Sequence, residues 1–446
     1  MEIIKKSNES TAKTWGEQKP AQKEYRLIKY HLLEAAEEGT VLCNNVTGEV
    51  VLLSAEEAAV LDTLPAAYCE VMQQLVEHRF LVPVDYDEHD EVCKLRRILN
   101  LFQKKKGIVG YTILPTTGCN ARCFYCFEAG AEVTSMSEQT AENVVRFIDT
   151  HCGSKRKVKL HWFGGEPTLG AKRISQICHG LQKLDITYTS TMISNGYLLQ
   201  NEMADEAKEL WHLEKVQITL DGMEETYNRV KAYVNIKGSA FEQVLSNIGG
   251  LLARDITVNV RMNLDRYNEA ELKQLIPMLA QRFESSAKLG MYVWPVFETE
   301  ACGAMPDHGD YQWFTEKLIE FDQLAREYRK LATPIYNVPE LRLNCCMADS
   351  EGAVVINPKG ELVRCLEHFS SDMAIGNVVD GVTDQERVRQ WSVVSETPEC
   401  ADCPFFPRCV RLKSCSGEAI CYEVGRNEEL RRHVIEAVSV WRNKKM

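Results

Sequence analysis

The chain has 446 residues and a formal net charge of −12. That length exceeds what one hydrophobic core of roughly 250 to 300 residues holds, and it predicts three domains. The acidic balance argues against a phosphate backbone as partner, so no nucleic acid is expected; no long apolar run is present and Met1 to Lys23 is polar, so a soluble cytoplasmic protein without a membrane partner is expected.

Up to residue 84 the pattern is strands followed by helices. Gly39 to Cys43 and Glu49 to Leu53 flank a turn-rich stretch, Asn44 to Gly48, and predict a hairpin. Ser54 with Glu57 three residues on predicts a capping box opening a helix through Ala58, Val60 and Leu61. A second helix carries Val71, Met72, Leu75 and Val76 and ends in Phe80-Leu81-Val82-Pro83. This order resembles the winged-helix-like recognition element of enzymes that modify ribosomally made peptides. Residues 85–106 begin acidic, with Asp85, Asp87, Glu88, Asp90 and Glu91 read as a solvated face, and Val92, Leu95, Ile98, Leu99 and Phe102 mark a bridging helix.

From Tyr111 the rhythm becomes strand, helix, strand, helix, the sign of a parallel sheet. The expected strands are Tyr111 to Pro115, Lys159 to Phe163, Tyr188 to Ile193, Val216 to Leu220, Val258 to Asn263 and Met291 to Val296. Helices are expected at Glu138 to His151, Ala240 to Ala253 and Trp313 to Leu331. The fold class is α/β, a six-stranded partial (β/α) barrel over 107–334 whose chemistry belongs at the carboxyl ends of the strands. Beyond residue 334 regular pattern fades into a cysteine-rich region, 335–446, with a short hairpin around Asn357 to Gly360 and a helix over Asp384 to Val393. Metal is expected to organise it.

The cysteines number seventeen. Cys43, Cys69, Cys93, Cys152, Cys178 and Cys302 are scattered and read as ordinary thiols; the others fall into two dense groups, a metalloprotein pattern. The first group is Cys119, Cys123 and Cys126, and three thiolates can hold a four-iron cluster with one iron left open. A structural zinc site asks for a fourth ligand, and no further Cys or His lies close. The run Cys119-x3-Cys123-x-Tyr125-Cys126 resembles the signature of the radical S-adenosylmethionine superfamily. The resemblance implies a 4Fe-4S cluster that cleaves S-adenosyl-L-methionine to a carbon radical, with Tyr125 beside the adenine. It also implies that Gly164-Gly165-Glu166-Pro167 receives the methionine ammonium. Ser194-Asn195-Gly196 and Leu220-Asp221-Gly222 then reach the ribose and carboxylate, with Arg229 as carboxylate partner. Arg261 and Asn263 alternate on one strand face and are expected to touch ligand or substrate.

The second group is Cys345, Cys346, Cys365, Cys400, Cys403, Cys409, Cys415 and Cys421. It resembles the auxiliary-cluster extension called SPASM, except that five residues rather than three separate Cys409 from Cys415. The resemblance implies two auxiliary clusters, making three 4Fe-4S clusters in all. Cys400, Cys403, Cys409 and Cys421 would hold the outer one, and Cys365, Cys415 and one or both of Cys345 and Cys346 the inner one; zinc could organise the same thiols but could not pass electrons.

The expected protein is a radical S-adenosylmethionine peptide maturase with an amino-terminal RiPP recognition element. It binds the leader of a precursor peptide through residues 1–84 and draws electrons from a flavodoxin- or ferredoxin-type donor. The bond expected is a thioether from cysteine to carbon; carbon–carbon crosslinking and sulfatase-type maturation are the alternatives. No catalytic base is identified. Rivals from other classes are an iron–sulfur regulator, against which the lack of a basic recognition helix weighs, and an electron carrier, which has no use for an open cluster beside Gly164 to Pro167.

Overall fold

The computed structural model describes residues 1–104, 107–234, 236, 238–296, 308–328, 338–343, 347–393 and 396–409, together with 431, 434–435, 437–438 and 441–442. The chain forms two compact units. One gathers Met1–Lys105, Pro334–Asp349 and Gln390–Met446; the other gathers Lys106–Thr333 and Ser350–Arg389. These groupings cut the chain differently from the expected division at 334/335.

The first unit begins with β1 (Glu2–Lys5), α1 (Glu9–Trp15), β2 (Glu24–Leu27), β3 (His31–Ala36), β4 (Gly39–Asn44) and β5 (Glu49–Leu52). It continues with α2 (Ala55–Leu61), β6 (Ala66–Ala67), α3 (Gln73–Glu77), β7 (Leu81–Pro83) and α4 (Glu88–Lys104). The strands make a four-stranded sheet, β1-β5-β4-β3, and a three-stranded sheet, β6-β2-β7. The expected hairpin is β4–β5, antiparallel with Cys43 opposite Val50. Both halves of the Ser54–Glu57 capping box are made, satisfying two amide groups that the first turn of α2 leaves free. Sequence patterning did not reach β1 and β3: β1 is four residues long, and in β3 adjacent Leu32 and Leu33 break the alternation by facing opposite sides, 3% and 40% exposed.

The bridging segment corrects two expectations. Val92, Leu95 and Leu99 bury as the stripe requires, but Ile98 and Phe102 are exposed. Within the acidic run Glu88 is buried, not solvated: its carboxylate pairs with the Arg26 guanidinium at 2.8 Å and accepts the Lys29 amide N–H at 2.9 Å. A charged group leaves water only with such partners.

The second unit takes β8 (Gly110–Ile113), α5 (Glu138–His151), β9 (Lys157–Trp162), α6 (Ala171–Lys183), β10 (Thr187–Ser194), α7 (Asn201–Glu209) and β11 (Leu213–Thr219). It goes on with α8 (Glu224–Lys231), α9 (Ala240–Ala253), β12 (Thr257–Leu264), α10 (Glu269–Arg282), β13 (Leu289–Pro295) and α11 (His308–Tyr328). Strands β8 to β13 lie side by side in chain order and all parallel, as crossover helices require. Each expected strand is present, with ends shifted by up to three residues. Val158, Leu160 and Trp162 of β9 bury with Val144 and Ile148 of α5, so the helices cover one face and polar residues such as His161 take the other.

After these come β14 (Ala353–Ile356), β15 (Glu361–Val363), β16 (Gly376–Asn377), β17 (Gly381–Val382) and α12 (Gln385–Gln390). The hairpin expected at Asn357 to Gly360 is β14–β15. Strand β14 also pairs in parallel with β8, Ala353 opposite Gly110 through Ile356 opposite Ile113, which is why residues 350–389 group with the barrel-like sheet. No described helix is long and apolar enough to cross a membrane.

Candidate functional site

The cysteine run follows β8 in a loop closed at its base. Thr117 N–H donates to Thr134 O at 2.9 Å, Thr134 N–H returns to Thr117 Oγ1 at 2.8 Å, and Thr116 Oγ1 stands 3.0 Å from Ser135 Oγ. The loop is fastened to the end of α8 by Arg122 N–H to Lys231 O at 2.8 Å. Cys119, Cys123 and Cys126 are free, half-buried thiols, and Cys119 Sγ accepts the Ala121 N–H at 3.4 Å. Burial pushes the Cys119 thiol up to about 11, so it keeps its proton at neutral pH and metal binding must release it.

The segment after β9 presses against this loop. Gly165 N–H donates to Thr116 O at 3.2 Å and Glu166 N–H to Gly118 O at 2.9 Å. A Cβ on Gly164, whose φ is +116°, would lie 2.2 Å from Thr116 O, and one on Gly165 would lie 2.4 Å from Thr117 O. Only glycine permits that approach. Pro167, buried, opens the short turn that follows.

Glu166 is fully buried and ties three segments together. Its Oε1 accepts Thr168 N–H, Thr168 Oγ1 and Ser194 Oγ, and its Oε2 accepts Asn195 N–H at 2.7 Å. Burial pushes its carboxyl above the ordinary range against the opposing pull of these donors. The sequence reading aimed this carboxylate at a ligand ammonium; its hydrogen bonds here go to the protein. Asn195 reaches back to the cysteine loop, Nδ2 donating to Asn120 Oδ1 at 2.7 Å.

The fourth motif joins through Tyr125. Its hydroxyl donates to Asp221 Oδ2 at 2.8 Å and accepts from Lys231 Nζ at 2.7 Å, while Lys231 and Asp221 form an ion pair at 2.9 Å with both side chains 3% exposed. Asn263 Nδ2 donates to Asp221 Oδ1, and Arg261 Nε to Asn263 Oδ1, each at 2.8 Å. Burial is the largest single influence and works against the Lys231 charge, but Asp221 together with Tyr125, Cys123 and Tyr227 outweighs it and holds the ammonium well above the ordinary lysine value. Arg229, two positions earlier on α8, is exposed instead. Residues two apart on a helix do not share a face, so Lys231 turns to Asp221 while Arg229 faces outward. Sequence reasoning missed Lys231, Asn120 and Thr168; the spacing Tyr227 to Lys231 places both on the buried side of α8 but says nothing of the charge they meet.

The carboxyl-terminal thiols divide between the units. Cys365 follows β15 in the barrel-bearing unit. In the other unit Cys400 lies within a short turn, Pro398–Asp402, Cys403 closes it and Cys409 follows. Cys400 Sγ accepts the Thr397 amide N–H at 3.3 Å, and Arg96 Nη2 donates to the carbonyls of Phe406, Pro407 and Cys409 at 2.6 to 3.0 Å. Cys302, Cys345, Cys346, Cys415 and Cys421 lie outside the described residues. None of the described cysteines is in a disulfide. Thiols outside any disulfide on short loops, with amide groups aimed at the sulfurs of Cys119 and Cys400, fit thiolate ligation of iron–sulfur clusters.

Residues 113–279 match the family described as Radical SAM superfamily, a domain that implies a 4Fe-4S cluster and S-adenosylmethionine. The chain is 25% identical over 163 residues to the pre-heme d1 synthase of Dinoroseobacter shibae, covering 36% of this chain and 38% of that protein. It is 33% identical over 164 residues to a probable GTP 3',8-cyclase of Methanocella arvoryzae, covering 36% and 50%. The chain thus spans half or less of the length of these relatives. Its fold is similar to that of native anSMEcpe with bound AdoMet, with a TM-score of 0.55 and 16% identity over 75% of this chain and 100% of the other. It is also similar to Streptococcus suis SuiB bound to precursor peptide SuiA, with a TM-score of 0.52 and 13% identity over 86% and 94%.

Proposed function

We propose that this chain is a radical S-adenosylmethionine enzyme that modifies a ribosomally made precursor peptide, forming a thioether between a cysteine and a carbon atom. The observation that carries the radical chemistry is the closed three-thiol loop seated on Gly164 and Gly165 and joined to Glu166, Asn195 and Asp221 through direct hydrogen bonds. With a cluster held by Cys119, Cys123 and Cys126, electron transfer to S-adenosylmethionine supplies the 5'-deoxyadenosyl radical that removes one hydrogen from the peptide. The chain's own residues do the positioning. Gly164 to Pro167 would offer backbone groups to the methionine ammonium, while Glu166 locks that segment to Ser194 and Asn195, which would meet the ribose. Asp221 holds the Tyr125 hydroxyl, fixing the ring intended for the adenine, and exposed Arg229 is free to fold over a carboxylate.

The peptide assignment rests on the fold shared with SuiB and anSMEcpe and on the amino-terminal sheet. Its edges are β1, four residues with an irregular register, and β3, six residues in regular register with β4. An irregular strand resists pairing, so β3 is the edge a leader joins as an added strand. Residues 1–84 take the leader, the barrel over 107–334 takes the core peptide, and a flavodoxin- or ferredoxin-type protein supplies electrons. Cys365, Cys400, Cys403 and Cys409, with Cys415, Cys421 and the Cys345–Cys346 pair, hold the two auxiliary clusters. Clusters held there would supply an acceptor for the electron released when sulfur and carbon join.

The test is anaerobic turnover with a chemical reductant, reading 5'-deoxyadenosine and the mass of a cysteine-containing precursor. Wild type should yield deoxyadenosine and a peptide lighter by two hydrogens with one thiol fewer. Replacing Cys119, Cys123 and Cys126 together by Ala should abolish both while auxiliary iron remains. Undiminished deoxyadenosine in that variant overturns the radical reading, and deoxyadenosine without thiol loss overturns the thioether.

A further inference from the structure

Cys93 has no place in either cysteine group, yet it does not stand alone. It lies on α4 four residues after His89, so both side chains share one helix face. Glu396, from the carboxyl-terminal part of the same compact unit, completes a triad: an imidazole nitrogen, the Cys93 sulfur and a carboxylate oxygen all lie within 4.8 Å of one another. His89 Nε2 is 3.1 Å from Glu396 Oε2, and the His89 ring packs on Phe406 with centroids 4.5 Å apart. An ion pair explains the first contact but gives no reason for a thiol at the same point.

We infer that His89, Cys93 and Glu396 form a zinc-type metal site, separate from the iron–sulfur ligands. Ligand chemistry selects the ion: sulfur and imidazole suit zinc, whereas magnesium and calcium take oxygen. Neutral imidazole, thiolate and carboxylate sum to two negative charges, which a divalent ion cancels. Tetrahedral zinc with bonds of about 2.0 to 2.3 Å sets its ligand atoms roughly 3.3 to 3.8 Å apart. His89 Nε2 and Glu396 Oε2 already stand 3.1 Å apart and every ligand-atom pair lies within 4.8 Å, so only a small closure is required. Three protein ligands leave the fourth position to water, the arrangement of an exchangeable rather than a closed site.

The position suggests what the metal does. Glu396 stands four residues before Cys400, so it sits at the entry to the loop that carries Cys400, Cys403 and Cys409. The far end of that loop is already held on α4, where Arg96 grips the carbonyls of Phe406, Pro407 and Cys409. A metal at His89 and Cys93 pins the near end to the same helix.

The experiment uses the full chain purified anaerobically with its iron. Zinc, iron and sulfide are measured after equilibration with zinc buffered by a competing chelator, and the zinc environment is read by X-ray absorption. Wild type should hold about one zinc, with one sulfur and the remaining neighbours nitrogen or oxygen. His89→Ala, Cys93→Ala and Glu396→Gln should each weaken zinc by more than about tenfold at unchanged iron and sulfide. Glu396→Gln, a surface change, separates lost ligation from lost folding. The inference is overturned if wild type takes no zinc, if zinc survives all three changes, if its neighbours are all sulfur, or if Cys93→Ala removes iron, which would make Cys93 a cluster ligand.

Discussion

The two thiol loops, 119–126 and 400–409, hold similar residues by different means. The first is built into the backbone: its base is closed by Thr117 and Thr134, and its floor is two glycines whose lack of side chains admits the neighbouring carbonyls. The second has short backbone turns of its own, such as Cys409 N–H to Phe405 O at 2.8 Å, but is fastened by side chains far away in sequence. Arg96 supplies three hydrogen bonds, Tyr30 OH donates to Ala401 O at 3.1 Å, and Asn45 Nδ2 to Pro404 O at 2.9 Å. A loop made by close backbone packing fails when atoms are added; a loop made by remote donors fails when atoms are removed.

The largest effect expected from this contrast is at the first loop's floor. Gly165→Val places side-chain atoms where Thr117 O and Gly118 O stand 2.4 and 2.5 Å from the Cβ position, so the loop must move. A displacement on the order of 1 Å costs about 100-fold in rate. Deoxyadenosine formation should fall at least that far while iron at the second loop persists; a variant with normal cleavage would refute the backbone account.

Lys231→Met comes next, because it leaves Asp221 buried and unpaired beside Tyr125. Breaking a buried pair from one side costs about 3 to 5 kcal/mol, read as a lowered denaturation midpoint of the barrel-bearing unit. The pH dependence has a definite sign. The Lys231 value is raised in the folded state, so its contribution is complete below the ordinary lysine value of 10.5 and fades only as pH rises beyond it. The gap between wild type and variant should therefore stay constant through neutral pH; a gap that closes near pH 8 would contradict a raised lysine.

The smallest effect expected is Arg96→Met, which keeps apolar bulk but removes the three hydrogen bonds that Arg96 gives the second loop, Pro407 O keeping the Arg342 amide N–H, at a cost of about 2 to 3 kcal/mol. If Cys400, Cys403 and Cys409 hold an auxiliary cluster as proposed, its iron should be lost more readily on mild chelation, with deoxyadenosine formation unchanged. Equal iron retention in variant and wild type would mean that the loop shapes itself.

Periodicity and spacing in the sequence determined much of the barrel-bearing unit. Alternating β and α rhythm predicted β8 to β13, and the helices Glu138–His151 and Ala240–Ala253 match residue for residue, since side-chain burial on one face leaves a local imprint. The same local reading put Cys119, Gly164, Ser194 and Asp221 at strand ends. What it could not fix was which groups meet. Glu166 as a buried tie among three segments, Lys231 against Asp221, Glu88 buried on Arg26, and β14 added beside β8 all join residues far apart in the chain. Such pairings follow from long-range geometry, because a charge or a strand edge is satisfied by whatever partner the folded chain brings near, and no neighbouring residue records that choice.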